Sequence, residues 1–295
     1  MNTELKTTRA VAVGSTLGGE LISYKRDGQE YVWEGLPEYW ASHAPVLFPT
    51  VGSTIDDSVK FEGKTYPLKK HGFARKQEFR LLEADSDRLV YELYDNAASH
   101  EVYPYKFRLL LEHKISDEGF STTYTVENID SKNIVFCIGG HAGFKCPLHD
   151  GEKFSDYKLI FSEVENEDVI YTTNYGGGYI DASLPVTDKL KNTNEWELNY
   201  ADFDVDVLLA KKLKSRHVKL VNKNTGKGID FDFTGFNALG VWTPPKKQAP
   251  FVCLEPWNGL PAHLGETGNF EDKPYAITLE PGKKYSVGYK VTVID

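Results

Sequence analysis

Three short segments combine glycine or proline, an aromatic ring and a titratable side chain, the mixture from which small-ligand sites are built. In His71-Gly72-Phe73-Ala74-Arg75, the glycine lets the backbone take a positive φ or approach a ligand closely. Arg75 adds a planar donor fork suited to hydroxyl or phosphate oxygens. A plain surface turn accounts for the same residues. In Ile138-Gly139-Gly140-His141-Ala142-Gly143-Phe144, a histidine sits where a strand gives way to glycine-rich chain. Its titration range lets it trade protons near neutrality, unless a backbone carbonyl simply satisfies it. In Phe251-Val252-Cys253-Leu254-Glu255-Pro256-Trp257, a strand would put Phe251, Cys253 and Glu255 on one inward face. An inward carboxylate is costly unless paired, and burial raises its pKa towards that of a useful base. The competing role for Glu255 is to accept hydrogen bonds from neighbouring backbone amides. Trp257 offers an aromatic face of the kind that packs on the apolar side of a sugar ring.

A metal is the other chemistry to weigh. Cys137, His141, Cys146 and His149 lie close together with zinc-ligand chemistry, but their spacing matches no familiar finger or ribbon. Cys137 also falls inside an apolar strand pattern, so no metal is expected. There is no G-x-S-x-G elbow, phosphate-binding loop or dinucleotide fingerprint. The run Gly176-Gly177-Gly178 reads as a flexible turn.

The elements that must carry these residues are strands. From Lys284 to Val293, Tyr285, Val287, Tyr289, Val291 and Val293 alternate with Lys, Ser, Gly and Thr, which is the period of a half-buried strand. Lys106 to Ile115 alternates in the same way. Arg88 to Tyr94, Ser121 to Glu127, Ile134 to Ile138, Tyr157 to Phe161, His217 to Val221 and Phe251 to Glu255 are further strands. Turn sequences such as Asp27-Gly28, Glu62-Gly63 and Pro281-Gly282 punctuate them. Only Glu34 to Trp40 and Thr187 to Leu198 offer a turn or two of helix. Without a βαβ rhythm, the expected fold is all-β, a large antiparallel sandwich, and residues 1–295 are read as one domain because such folds exceed 200 residues as a unit.

Composition narrows the function classes. With 40% apolar and 26% charged residues, 17 Tyr, 16 Phe and 5 Trp, the chain can bury a substantial core and is not a disordered polymer. A net charge of −9 argues against a phosphate-tracking nucleic-acid surface. No apolar run approaches the length of a membrane helix or signal peptide, and three cysteines are too few for a disulfide framework. A cytoplasmic protein with no nucleic-acid or membrane partner is expected; the oligomeric state, a homodimer included, stays open.

Trp40 with Ala44-Pro45-Val46-Leu47-Phe48-Pro49, then His71-Gly72-Phe73-Ala74-Arg75, Gly140-His141 and Cys253-Leu254-Glu255-Pro256-Trp257, in this order over most of the chain, resemble the aldose 1-epimerase (galactose mutarotase) family, and within it the LacX-like branch. The resemblance implies a β-supersandwich with a sugar cleft and no cofactor. It makes Glu255 the general base and His141 the general acid, with His71 near the sugar ring oxygen and Arg75 on hydroxyls or a phosphate. Asp206 matches the carboxylate that holds sugar hydroxyls, with Asp204 a competitor. Members acting on free galactose usually carry Arg and Asn shortly after the Phe-Pro segment; here Val51-Gly52-Ser53-Thr54 supplies neither, which leaves the sugar open.

The residue types suit the implied reaction. A base takes the C1 hydroxyl proton, an acid protonates the ring oxygen, the C1–C2 bond rotates, and the ring closes on its other face. Glycoside hydrolysis needs two flanking carboxyl groups, and only Glu255 has a persuasive context. Three functions follow as expectations: an aldose 1-epimerase acting on a hexose, a hexose-6-phosphate mutarotase using Arg75 with Lys69 or Lys70, and a sugar-binding module without turnover.

Overall fold

The computed structural model describes residues 1–173, 178–184 and 186–295, in which strand is the dominant regular structure and helix is confined to short turns. Of the expected glycine turn, Gly176 and Gly177 lie outside the described residues. One antiparallel sheet of 16 strands dominates. It starts at Val46–Leu47 and runs through Ile138–Gly140, Phe251–Asn258, Ala238–Trp242 and Leu208–Ala210 to the long strand Tyr157–Thr173. It continues through His217–Asn222, Gly228–Asp232, Lys284–Ile294, Gly119–Asn128, Phe107–Ile115 and Arg88–Tyr94 to Arg80–Ala84. A four-stranded meander, Asn2–Lys6 to Gln29–Glu30, packs on this sheet, with the Tyr24 and Phe120 rings 5.0 Å apart.

The alternation in the sequence translates directly into burial. In Lys284–Ile294, Val287, Tyr289, Val291 and Val293 are buried while Lys284, Ser286 and Lys290 are exposed. In Phe107–Ile115 every second residue from Phe107 is buried, including His113, whose ring meets Gly19 O at 2.8 Å and Thr122 Oγ1 at 3.0 Å. With both ring nitrogens engaged, burial pushes its pKa down to about 4 and His113 is a structural histidine.

Of the two helical expectations, one is overturned and the other reduces to a single turn. Thr187 to Leu198 is the strand Val186–Glu197, paired with Tyr157–Thr173 through several register shifts. Its β-favouring Thr187, Thr193 and Trp196 and a left-handed Asn192 (φ 53°) fit a bulged strand, and pairing overrides the scattered apolar spacing that had read as helical. Glu34 to Trp40 contains one turn, in which Leu36 O accepts from the Tyr39 and Trp40 amides at 3.0 and 2.9 Å. Gly35, with φ 70°, bounds it on its N-terminal side. The strand expected over Ile134 to Ile138 divides at Cys137: Ile134–Phe136 pairs with Ile277–Leu279, and Ile138–Gly140 joins the large sheet. Among the described residues no helix is long and apolar enough to cross a membrane.

Candidate active site

Glu255 and His141 are brought together by strand register. Gly139 lies opposite Trp257, and Ala142 opposite Leu254, so the same antiparallel register carries His141 directly across from Glu255. Their Nε2 and Oε2 atoms are 3.3 Å apart. Both side chains are almost completely buried, Glu255 1% and His141 7% exposed. Burial holds the Glu255 carboxyl well above its ordinary range, partly opposed by the positive charge of Lys70. Burial likewise holds the His141 imidazole well below its ordinary range, with Arg75 and Lys70 acting in the same direction. Burial thus favours a neutral carboxyl beside a neutral imidazole, one proton for the pair.

Aromatic rings fix the imidazole. Trp40 stacks on His141 with centroids 4.7 Å apart and planes 27° from parallel, and Trp242 meets it edge-on at 5.3 Å. The turn at Leu36 serves to deliver Trp40 to this place. Sequence reasoning missed Trp242 as a site residue, because the end of an ordinary strand carries no local signal.

His71 enters from a loop clamped to the Phe48 segment. The Phe73 amide donates to Phe48 O at 3.0 Å, and a Cβ on Gly72 (φ 68°) would stand 2.2 Å from that oxygen, so only glycine fits there. His71 itself is left-handed (φ 67°), and the Gly52 amide donates to its Nδ1 at 3.1 Å. An Nδ1 that accepts must be unprotonated, so the ring proton sits on Nε2. Burial, reinforced by Lys70, holds this pKa well below the ordinary value and keeps the ring neutral. Nitrogen-15 NMR of the imidazoles should show His71 as the Nε2–H tautomer at neutral pH; a protonated Nδ1 would contradict this arrangement.

One cleft of about 190 Å³ unites the residues the sequence singled out: His71, Arg75, His141, Asp206, Glu255 and Trp257 all line it, with Trp40, Lys70 and Trp242. That volume suits one small polar ligand. Of the two candidate aspartates, Asp206 lines the cleft and Asp204 is exposed outside it. Trp242 Nε1 donates to Asp206 Oδ1 at 2.8 Å, and Lys70 Nζ lies 3.7 Å from Oδ2. Trp257 forms part of the floor but is only 1% exposed, so little of its ring face is open to a ligand.

The zinc quartet considered from spacing does not assemble. Cys137 and Cys146 are buried and His149 is exposed, and among the described residues the one group able to hold a metal is His141 with Cys253 and Glu255.

The model of the aldose 1-epimerase family matches residues 2–292. The LacX proteins of Lactococcus lactis subsp. lactis, plasmid and chromosomal, are 35% identical to this chain over 305 residues, with full coverage of both. A galactose mutarotase related enzyme from Lactobacillus acidophilus superposes with a TM-score of 0.92 at 27% identity, covering 100% of this chain and 98% of the other. A galactose mutarotase-like protein from Lactobacillus casei gives 0.90 at 28% identity, with full coverage of both chains.

Proposed function

The chain belongs to the aldose 1-epimerase family, and on that premise we propose that it interconverts the α and β anomers of an aldohexose without a cofactor. The observation that carries this reading is the buried His141–Glu255 pair, 3.3 Å apart in a cleft the size of one small ligand. A binding module has no use for a matched acid and base held dry. Glu255 as carboxylate takes the C1 hydroxyl proton, and His141 as imidazolium gives a proton to the ring oxygen. This state has the same number of protons as the neutral pair and is reached by moving one proton between Oε2 and Nε2. Lys70 and Arg75 favour the carboxylate and disfavour the imidazolium, so they do not by themselves drive this transfer. His71 Nε2–H donates to a sugar oxygen, and Asp206 accepts from sugar hydroxyls. The match over residues 2–292 and the sheet that links the site segments support one domain. Three buried, unpaired thiols support the expectation of a reducing, cytoplasmic compartment.

The phosphorylated substrate has an observation of its own in favour. An adjoining cavity of about 470 Å³ shares Lys70 and Arg75 with the cleft and adds Lys69 and Lys76 against the single acid Asp57. A sugar phosphate seated with C1 at Glu255 would direct its charge towards these cations. Polarimetry or NMR exchange on freshly dissolved α-glucose, α-galactose and their 6-phosphates tests both substrates. Acceleration of none of them, alongside measurable sugar binding, would exclude the enzyme.

The pair also predicts the pH profile. Activity requires one shared proton, so the acid limb of kcat/KM follows the second protonation, onto the lowered imidazole, and lies below pH 6.5. The alkaline limb follows loss of the last proton, from the raised carboxyl, and lies well above pH 4.5. A broad plateau between them is expected; an acid limb centred above 6.5 would show that burial does not dominate the His141 titration. Trp242→Phe removes the Asp206 hydrogen bond and should raise KM by roughly tenfold with a smaller change in kcat. An unchanged KM would remove Asp206 from the hydroxyl-binding role.

A further inference from the structure

We propose that His141, Cys253 and Glu255 form an inhibitory binding site for a thiophilic divalent cation such as Zn²⁺. The three donor atoms lie within 4.8 Å of one another, and all three residues are buried. Tetrahedral zinc holds N, S and O donors about 2.0–2.3 Å from the metal, so these atoms need only a small inward movement to share one ion. They come from two neighbouring strands: Cys253 and Glu255 share one face of Phe251–Asn258, and Cys253 pairs with Gly143, two residues beyond His141.

Three protein ligands leave a fourth position open, and two of the three, His141 and Glu255, line the cleft, while Cys253 lies buried behind it. The charge balance is favourable as well. Binding displaces the Cys253 thiol proton, and the Glu255 carboxyl proton where present, to solvent. The dication then meets one thiolate and one carboxylate, a neutral set suited to a buried place. A thiol is not needed for acid–base exchange at C1, so the cluster's metal chemistry is separate from the proposed reaction. An ion seated there occupies the His141 and Glu255 atoms that exchange protons, and it blocks the sugar.

The test uses the full chain with zinc chloride and with cobalt chloride as a spectroscopic probe. The wild-type protein should bind one equivalent of Zn²⁺, and its Co²⁺ adduct should show a thiolate-to-cobalt charge-transfer band. Zn²⁺ should suppress anomer exchange, and a chelator should restore it. Cys253→Ser should lose the band and raise the inhibitory zinc concentration by about tenfold or more, while keeping its activity without metal. His141→Gln, read by the cobalt spectrum alone, provides a second variant and needs no turnover. A Co²⁺ adduct without a thiolate band, or one equivalent of zinc bound as tightly in both variants as in the wild type, would overturn the site. If none of the sugars is turned over, the spectra still decide the metal site.

Discussion

Glu255→Gln is expected to lower kcat for anomer exchange by roughly 10³-fold, within the span of a general acid–base group, with little change in KM. The amide is nearly the shape of the carboxylic acid and carries no charge into a site where Glu255 is 1% exposed. Thermal stability should therefore hold or rise slightly, because burying an ionisable acid has a desolvation cost the amide avoids. The combination matters: a collapse in rate with intact folding and intact sugar binding assigns proton transfer to Glu255. A rate close to that of the wild type would show that the base is another group. A loss of rate accompanied by unfolding would instead make the carboxyl structural, as the capping alternative requires.

Trp257→Ala should destabilise the fold by about 3–5 kcal/mol, the cost of removing a large aromatic from a packed interior. The ring is buried between two strand glycines. A Cβ on Gly139 would stand 2.7 Å from its Cδ1, and one on Gly240 would stand 3.2 Å from its far edge. Those glycines leave the room that Trp257 fills. Trp257→Phe should recover part of the loss. Urea denaturation measures the stability, and sugar binding below the transition measures the site. If Trp257→Ala weakened binding strongly while leaving the denaturation midpoint unchanged, the ring would be a sugar platform after all.

Local pattern made much of the fold legible. The alternation in Lys284–Ile294 and Phe107–Ile115, and the turns at Asp27-Gly28 and Glu62-Gly63, appear where expected because side-chain period and positive-φ positions are properties of neighbouring residues. The helical expectation over Thr187 to Leu198 failed for the complementary reason. Val186–Glu197 is polar on its open side, and only its partner strand reveals that Leu190 and Trp196 point inward. At the site, the residues that carry titratable chemistry beside glycine or proline were visible. Trp242, which orients Asp206 and walls His141, was not distinguished by its surroundings in the chain, and Lys70, noted only as a partner for a phosphate, was not foreseen beside Asp206.

By itself the sequence determined the all-β character, the family resemblance and the identity of His71, His141 and Glu255 as the residues to watch. Composition, two-residue periodicity and short motifs are carried by contiguous chain, and no contact needs to be known to see them. Only the tertiary structure decided that Asp206 and not Asp204 enters the cleft, that Trp257 is floor and not an open platform, and that Cys253 joins His141 and Glu255 while Cys137 and Cys146 do not. These outcomes depend on strand register and on which face each strand buries. A shift of one residue would turn Glu255 away from His141. Register is settled by the packing of the whole sheet, so the proximity that makes an acid and a base into a pair is a property of the folded chain.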